Sequence, residues 1–190
     1  MTAIRPTASI SSSLRAPGAS NSRNLPSFVC VVSVGADFLV CPDNTIHQAL
    51  PHVARRSPLP WLNIAEEVAG EALARGFKRL AITGTRWLVD SKVYPDALTA
   101  QGLAYMRPTP EERDEINRII MDELVCGVFK SEAIACLSAS LRPMKDAGCD
   151  AVVLGCTEIS LIMNDANSPS PTLDSTRLLA RAALRRAVAA

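Results

Sequence analysis

Ala151–Leu154 is a run of four apolar residues with no polar interruption, bounded by Gly148-Cys149-Asp150 in front and Gly155 behind. So short a run between turn formers reads as a buried strand. From Gly35 onward, strands of this kind alternate with helical patterns. Asp37–Cys41 is a short apolar strand. Pro42-Asp43-Asn44-Thr45 ends it and caps a helix from about Thr45 to Ala54, because Asp, Asn and Thr satisfy free amide donors. Pro58–Ile64 is a second strand, with its prolines early, where a strand tolerates them. Ala65–Arg75 is an alanine-rich amphipathic helix closed by Gly76.

The alternation continues. Arg79–Thr83 is a strand ending in Gly84-Thr85, Ser91–Gln101 a helix stopped at Gly102, and Leu103–Met106 a strand. Pro110-Glu111-Glu112 opens a long helix with acids in its first turn, where the helix dipole favours them; Ile116, Ile119, Ile120 and Leu124 form its apolar stripe. Ser131–Ala147 is a helix closed by Gly148. A polar loop, Asn164–Thr172, precedes a last helix over Asp174–Val188 whose arginines read as a solvated face. Repeated strand–helix units imply an α/β fold with a mainly parallel sheet flanked by helices.

Composition narrows the class. The chain has 190 residues, 48% of them hydrophobic, enough for one sizeable core or two small lobes. A net charge of +1 gives no electrostatic case for nucleic acid or a membrane surface. No run approaches the ~18 apolar residues of a membrane span. The six cysteines form no CxxC pair, and His47 and His52 are the two histidines, so neither a metal site nor a disulfide framework is expected; a reduced cytoplasmic setting fits better. The first 24 residues are Ser-rich, carry Arg5, Arg15 and Arg23, and precede the first acid, Asp37. They resemble an organellar transit peptide in composition, but no amphipathic helix emerges, which favours a disordered tail. Leu25–Val34 is apolar and β-branched, a strand candidate with no firm partner.

Cys156 falls at the carboxyl end of its strand, just before Thr157-Glu158. Ligands of open parallel sheets bind at that edge. The thiol has two readings, proton or nucleophile chemistry or packing as a small apolar side chain. A second strand end, Cys41-Pro42-Asp43-Asn44-Thr45, likewise offers ionisable and polar groups at a helix start, where free N–H groups suit a substrate carboxylate. Two such edges face to face would make a cleft with a proton acceptor on each wall, fitted to removing a proton from one face of a carbon and delivering one to the other.

The stretch Asp150–Ile159 closely resembles the second cysteine signature of the aspartate/glutamate racemases, and Gly35–His47 resembles their first. Arg79–Thr85 looks like the strand and turn that open that family's second lobe, and Pro171–Arg177 like the segment returning to the first. The resemblance implies two similar α/β lobes: 25–64 with 168–190 as the first, 65–167 as the second, and 1–24 as a tail. It implies cofactor-independent racemisation of an acidic amino acid such as aspartate or glutamate, with two acid–base groups flanking the α-carbon. Cys156 would be one. Asn44, Thr45, Thr85 and Thr157 would hold the carboxylate and amino group, and Glu158 would sit beside the thiol. The partner implied is a small-molecule amino acid, with a homodimer possible.

Three positions depart from the pattern. Asp43 stands where the family places its other cysteine, and an ordinary carboxyl titrates near 3.9 against about 8.5 for a thiol; burial would narrow that gap. Asp43 is also suited to be a simple helix cap, and Cys41, two residues earlier on the same side of an extended strand, is an alternative thiol. Leu88 replaces a threonine common in the family, with Trp87 beside it as a pocket wall or a packed side chain. The family's opening strand has no counterpart before the first signature, which leaves the first lobe incomplete at its N-terminus. Two other functions remain open: one-sided protonation by Cys156 as in arylmalonate decarboxylases, and an inactive family member that binds small acids.

Overall fold

Short apolar segments pair into two sheets. The computed structural model describes residues 2–3 and 32–189. In chain order its strands are β1 (Thr2–Ala3), β2 (Leu39–Val40), β3 (Trp61–Leu62), β4 (Arg79–Thr83), β5 (Ala104–Met106), β6 (Ala151–Leu154) and β7 (Thr172–Asp174). The smaller sheet has the order β1-β2-β3, with β2 antiparallel to β1 and parallel to β3. The larger has the order β5-β4-β6-β7, and every pairing in it is parallel.

The larger sheet is covered on both faces, which is why β4 and β6 carry apolar residues without alternation. Ala81, Val152 and Leu154 turn to one face, against Ile116, Ile119, Ile120, Leu137 and Leu141. These come from α5 (Pro110–Arg118), the π-helical turn Ile119–Leu124 that continues it, and α6 (Ser131–Asp146). Leu80, Ile82, Ala151 and Val153 turn to the other, against Ala65, Val68, Ala69, Tyr94 and Leu98. The stripe Ile116, Ile119, Ile120 and Leu124 is buried as its spacing implies.

The remaining helices are α1 (Leu50–Val53), α2 (Ile64–Ala74), α3 (Arg86–Asp90), α4 (Val93–Ala100), α7 (Ile159–Ile162) and α8 (Ser175–Val188). Asn63 caps α2 by accepting from the Ala65 amide (3.0 Å), and Asp174 caps α8 by accepting from the Arg177 amide (3.0 Å). The helix expected over Thr45–Ala54 is broken into a 3-10 turn, Thr45–Ala49, then α1 and a second 3-10 turn, Ala54–Arg56. Pro51 has no N–H to carry a regular ladder back into the first turn. The strands expected over Asp37–Cys41 and Pro58–Ile64 pair only at Leu39–Val40 and Trp61–Leu62. The helix expected at Ser91 begins at Val93, where Ser91 Oγ accepts from the Val93 amide (3.2 Å), and the preceding Arg86–Asp90 is a separate short helix.

The segment assigned from residue 168 to the first lobe divides. Its strand β7 is bonded to β6 in the second sheet, while Leu179, Ala182 and Ala183 of α8 pack on Phe38, Val40, Leu62 and Ile64. Helix α2 is also shared, with Ile64 in the first-lobe core and Ala65, Val68, Ala69 and Ala72 in the second. Within the supposed tail, Thr2–Ala3 forms β1; residues 4–24, and 25–31 of the strand candidate, lie outside the described residues, while Val32 and Ser33 are helical.

Behind the tips of β4 and β6 two glycines meet. Gly84 has φ +148°, and a Cβ there would lie 2.8 Å from Leu88 Cδ2 and 3.0 Å from the Gly155 carbonyl oxygen. A Cβ on Gly155 would collide with the Thr83 carbonyl and lie 2.6 Å from Leu88 Cδ2. Gly155→Ala is therefore expected to cost about 1–3 kcal/mol in urea unfolding. Gly70→Ala, at an exposed site in α2 with nothing within 4 Å of the added carbon, should instead stabilise by about 0.5–1 kcal/mol.

Candidate functional site

The turn after β2 and the turns after β4 and β6 come together at the carboxyl ends of their strands. Pro42, Asp43, Asn44 and Thr45 from the first, Thr85 from the second, and Gly155, Cys156, Thr157 and Glu158 from the third line one cavity of about 320 Å³. Asp43, Asn44, Thr45, Thr85, Cys156, Thr157 and Glu158, the acid–base and substrate-holding candidates of the sequence, are all in this lining.

A buried hydrogen-bond chain fixes its floor. Tyr94 donates its hydroxyl to Asn44 Oδ1 (2.6 Å), Asn44 Nδ2 donates to Ser175 Oγ (3.0 Å), and Ser175 donates to the Leu154 carbonyl (2.7 Å). Tyr94 and Ser175 are fully buried and Asn44 is 3% exposed; burial pushes the Tyr94 hydroxyl well above the usual phenol range. Asn44 thus has its carbonyl oxygen and one N–H in the scaffold. Thr45 Oγ1 and Thr85 Oγ1 lie 3.0 Å apart, and Thr85 Oγ1 also accepts from the Leu88 amide (3.3 Å). Only one hydroxyl hydrogen can lie between the two oxygens, so the other is free to point elsewhere.

Asp43 is exposed, so the burial considered from the sequence is not found. Its Oδ1 accepts from the Ile46 amide (3.0 Å), the capping role its position suggested. Behind it His47 is buried, its Nδ1 2.9 Å from the Asp43 carbonyl, its Nε2 accepting from the Ile64 amide at 3.2 Å. An acceptor at Nε2 fixes the neutral tautomer with hydrogen on Nδ1. Cys41 is half-buried and not part of the lining.

Cys156 is 7% exposed and donates from Sγ to Glu158 Oε2 (2.9 Å), which also accepts from Thr157 Oγ1 (2.7 Å). Burial, then the bond to the Glu158 carboxylate, pushes the thiol up to about 12. Burial alone would raise Glu158, but the two hydrogen bonds it accepts outweigh that and hold it below the ordinary carboxyl range. The pair at neutral pH is a thiol and a carboxylate.

Leu88 is buried against the paired glycines, where it fills space, and Trp87 is 49% exposed under the Arg86 guanidinium (5.7 Å), neither wall nor packed core. Reading the sequence missed Tyr94, which joins the site across 50 residues from within α4 and carries no local signal of it. Among the described residues no group of three or more His, Cys, Asp or Glu is placed to hold a metal ion, and no helix is long and apolar enough to cross a membrane.

Comparison with known proteins shows what the whole chain is similar to. The family model described as Asp/Glu/Hydantoin racemase matches residues 15–183. The chain is 21% identical over 150 residues to the broad specificity amino-acid racemase RacX of Bacillus subtilis (strain 168), covering 77% of this chain and 63% of that one. It thus spans under two thirds of the length of that relative. An aspartate racemase homologue from Pyrococcus horikoshii OT3 superposes with a TM-score of 0.75 at 30% identity, over 85% of this chain and 71% of that one. The aspartate racemase of Picrophilus torridus superposes with a TM-score of 0.68 at 21% identity, over 85% and 66%.

Two outcomes follow from the thiol's setting. Near neutral pH, iodoacetamide should label exposed Cys126 and spare Cys156, read by site-resolved mass spectrometry. Because the folded thiol titrates above the unfolded one, the folded state holds the extra proton. Its stabilisation is complete below the unfolded value near 9.0 and is lost as pH rises through about 12. Unfolding in denaturant at stepped alkaline pH should show this decline, and Cys156→Ser should flatten it.

Proposed function

The chain belongs to the Asp/Glu/hydantoin racemase family, and from that premise we propose that it is a cofactor-independent amino-acid racemase or epimerase with Asp43 and Cys156 as its two acid–base groups. The observation that carries the reading is that these residues, 113 positions apart in number, line one small cavity between two strand ends. The two groups suit opposite tasks. Asp43 accepts the α-proton as a carboxylate, and Cys156, held as a thiol on Glu158, donates a proton to the other face of the resulting carbanion. The α C–H bond breaks toward Asp43, a new C–H bond forms from Sγ–H, and Cys156 is left as thiolate. Return of one proton from exposed Asp43 to Cys156 through water restores the starting state, and the reverse reaction begins before that return.

The carbanion is delocalised onto the substrate carboxylate, so donors to that group matter most in the transition state. The free hydroxyl hydrogen of the Thr45–Thr85 pair and the remaining N–H of Asn44 are suited to it. Thr157 and Glu158 are suited to the amino group, as acceptors.

Incubating one enantiomer in deuterated water is expected to give the other with deuterium at the α-carbon. Cys156→Ala should lower exchange by at least about a hundredfold, a scale typical of losing a general acid. Asp43→Asn should do the same, while Asp43→Cys, which equalises the two groups, should keep the reaction. One observation favours a second reading: the Asp43 carboxylate already caps a turn. Carbon dioxide release from an arylmalonate, unaffected by Asp43→Asn and abolished by Cys156→Ala, would select one-sided protonation instead.

A further inference from the structure

Resting on the racemase reading, we propose that Ser175 is a positioning residue of this site, whose hydroxyl makes Asn44 present an N–H, and not its carbonyl oxygen, to a bound carboxylate. The observation that carries it is the direction of the buried hydrogen bonds running from Tyr94 through Asn44 and Ser175 to the Leu154 carbonyl.

The two ends of a side-chain amide have nearly the same shape, so packing alone does not choose between them. The choice is made at the far end of the series. The Leu154 carbonyl can only accept. Ser175 has one hydroxyl hydrogen, and it lies on that carbonyl at 2.7 Å. Toward Asn44 the Ser175 oxygen can therefore only accept, and the group 3.0 Å away has to be the Nδ2 donor. Oδ1 is then turned to Tyr94, at 2.6 Å. Tyr94 meets it as a donor, since burial holds the phenol proton well above its ordinary range. A reversed amide would set Oδ1 against the Ser175 oxygen. Those two acceptors would lie within bonding distance and away from water, since Ser175 is fully buried and Asn44 is 3% exposed.

Ser175 reaches this position because of where its segment lies. β7 pairs with β6 so that Asp174 is opposite Leu154, and Ser175 is the next residue. Asp174 caps α8 by accepting from the Arg177 amide, which leaves the Ser175 hydroxyl free of that task. The one hydroxyl is thus tied to the segment of each wall. Asn44 adjoins Asp43, and Leu154 lies two residues before Cys156. Asn44 lines the cavity, and its second N–H is the donor left for a ligand. Without the hydroxyl, the reason for one orientation is gone and the amide samples both. A bound carboxylate then has to select the donor end, so apparent affinity falls by the fraction of molecules already turned correctly, while the rate from the bound state is largely kept.

The test measures α-proton exchange in deuterated water, and affinity by calorimetry, for aspartate, glutamate, alanine and lysine on the full chain and its variants, each checked for its fold by circular dichroism. Ser175→Ala is expected to raise KM and Kd about tenfold while kcat stays within about threefold. Tyr94→Phe also deletes a buried hydrogen bond but leaves the direction set at Ser175 intact, so KM and Kd should move by less than about threefold. Added to Asn44→Ala, Ser175→Ala should change nothing more, because its effect passes through the amide. If Ser175→Ala does not fold, Ser175→Cys takes its place; a thiol is a weak donor and a weak acceptor, and the same rise is expected. Equal losses in Ser175→Ala and Tyr94→Phe, additive losses in the double variant, or a fall in kcat at unchanged KM overturn the proposal and leave the racemase reading standing. Binding with the expected pattern among the variants, but without exchange of any amino acid, overturns the racemase reading and supports the role of Ser175. Neither exchange nor binding at millimolar concentration overturns both.

Discussion

The molecule turns on the hydrogen-bond chain from Tyr94 through Asn44 and Ser175 to the Leu154 carbonyl. It joins four separate segments of the chain at the point where the two sheets approach each other. Each link is buried, so each group would be left without water as well as without a partner if one link failed, a penalty of about 1–3 kcal/mol per unsatisfied group. The turn carrying Asp43, Asn44 and Thr45 is therefore anchored to the second lobe by its middle residue. Its neighbours on either side are left to face the cavity.

The second lobe reaches the same place by a steric route. With Gly84 and Gly155 carrying no side chain, the ends of β4 and β6 come close enough for Leu88 to seal the gap behind them. Thr85 is then presented within 3.0 Å of Thr45, and Cys156 beside Glu158. Polar restraint on one wall and close packing on the other produce a single rigid cleft. Rigid walls are what proton transfer between fixed donors and acceptors requires.

Much of this was legible in the amino-acid order because the information is local. Arg79–Thr83 and Ala151–Leu154 are the strands that their apolar runs indicate, with the boundaries those runs suggest. The small sheet was overdrawn, because Asp37–Cys41 and Pro58–Ile64 are apolar enough for strands but pair over two residues only. The candidate site residues were found through motif order, yet their roles depend on partners far away in number. Nothing near Asn44 announces Tyr94 or Ser175. Nothing near Leu88 says that it fills the space left by two glycines rather than replacing a hydroxyl. The membership of β7 in the larger sheet and of α8 in the smaller core is likewise a tertiary fact, since one segment serves both.

That last helix has a consequence for biosynthesis. Phe38, Val40 and Leu62 reach their full cover only when Leu179, Ala182 and Ala183 dock on them. Those residues leave the ribosome well over a hundred residues later. The larger sheet can assemble strand by strand as the chain emerges, whereas the smaller one waits with an oily face uncovered. Chaperones that recognise such faces would find this chain most attractive in the interval before that helix is made.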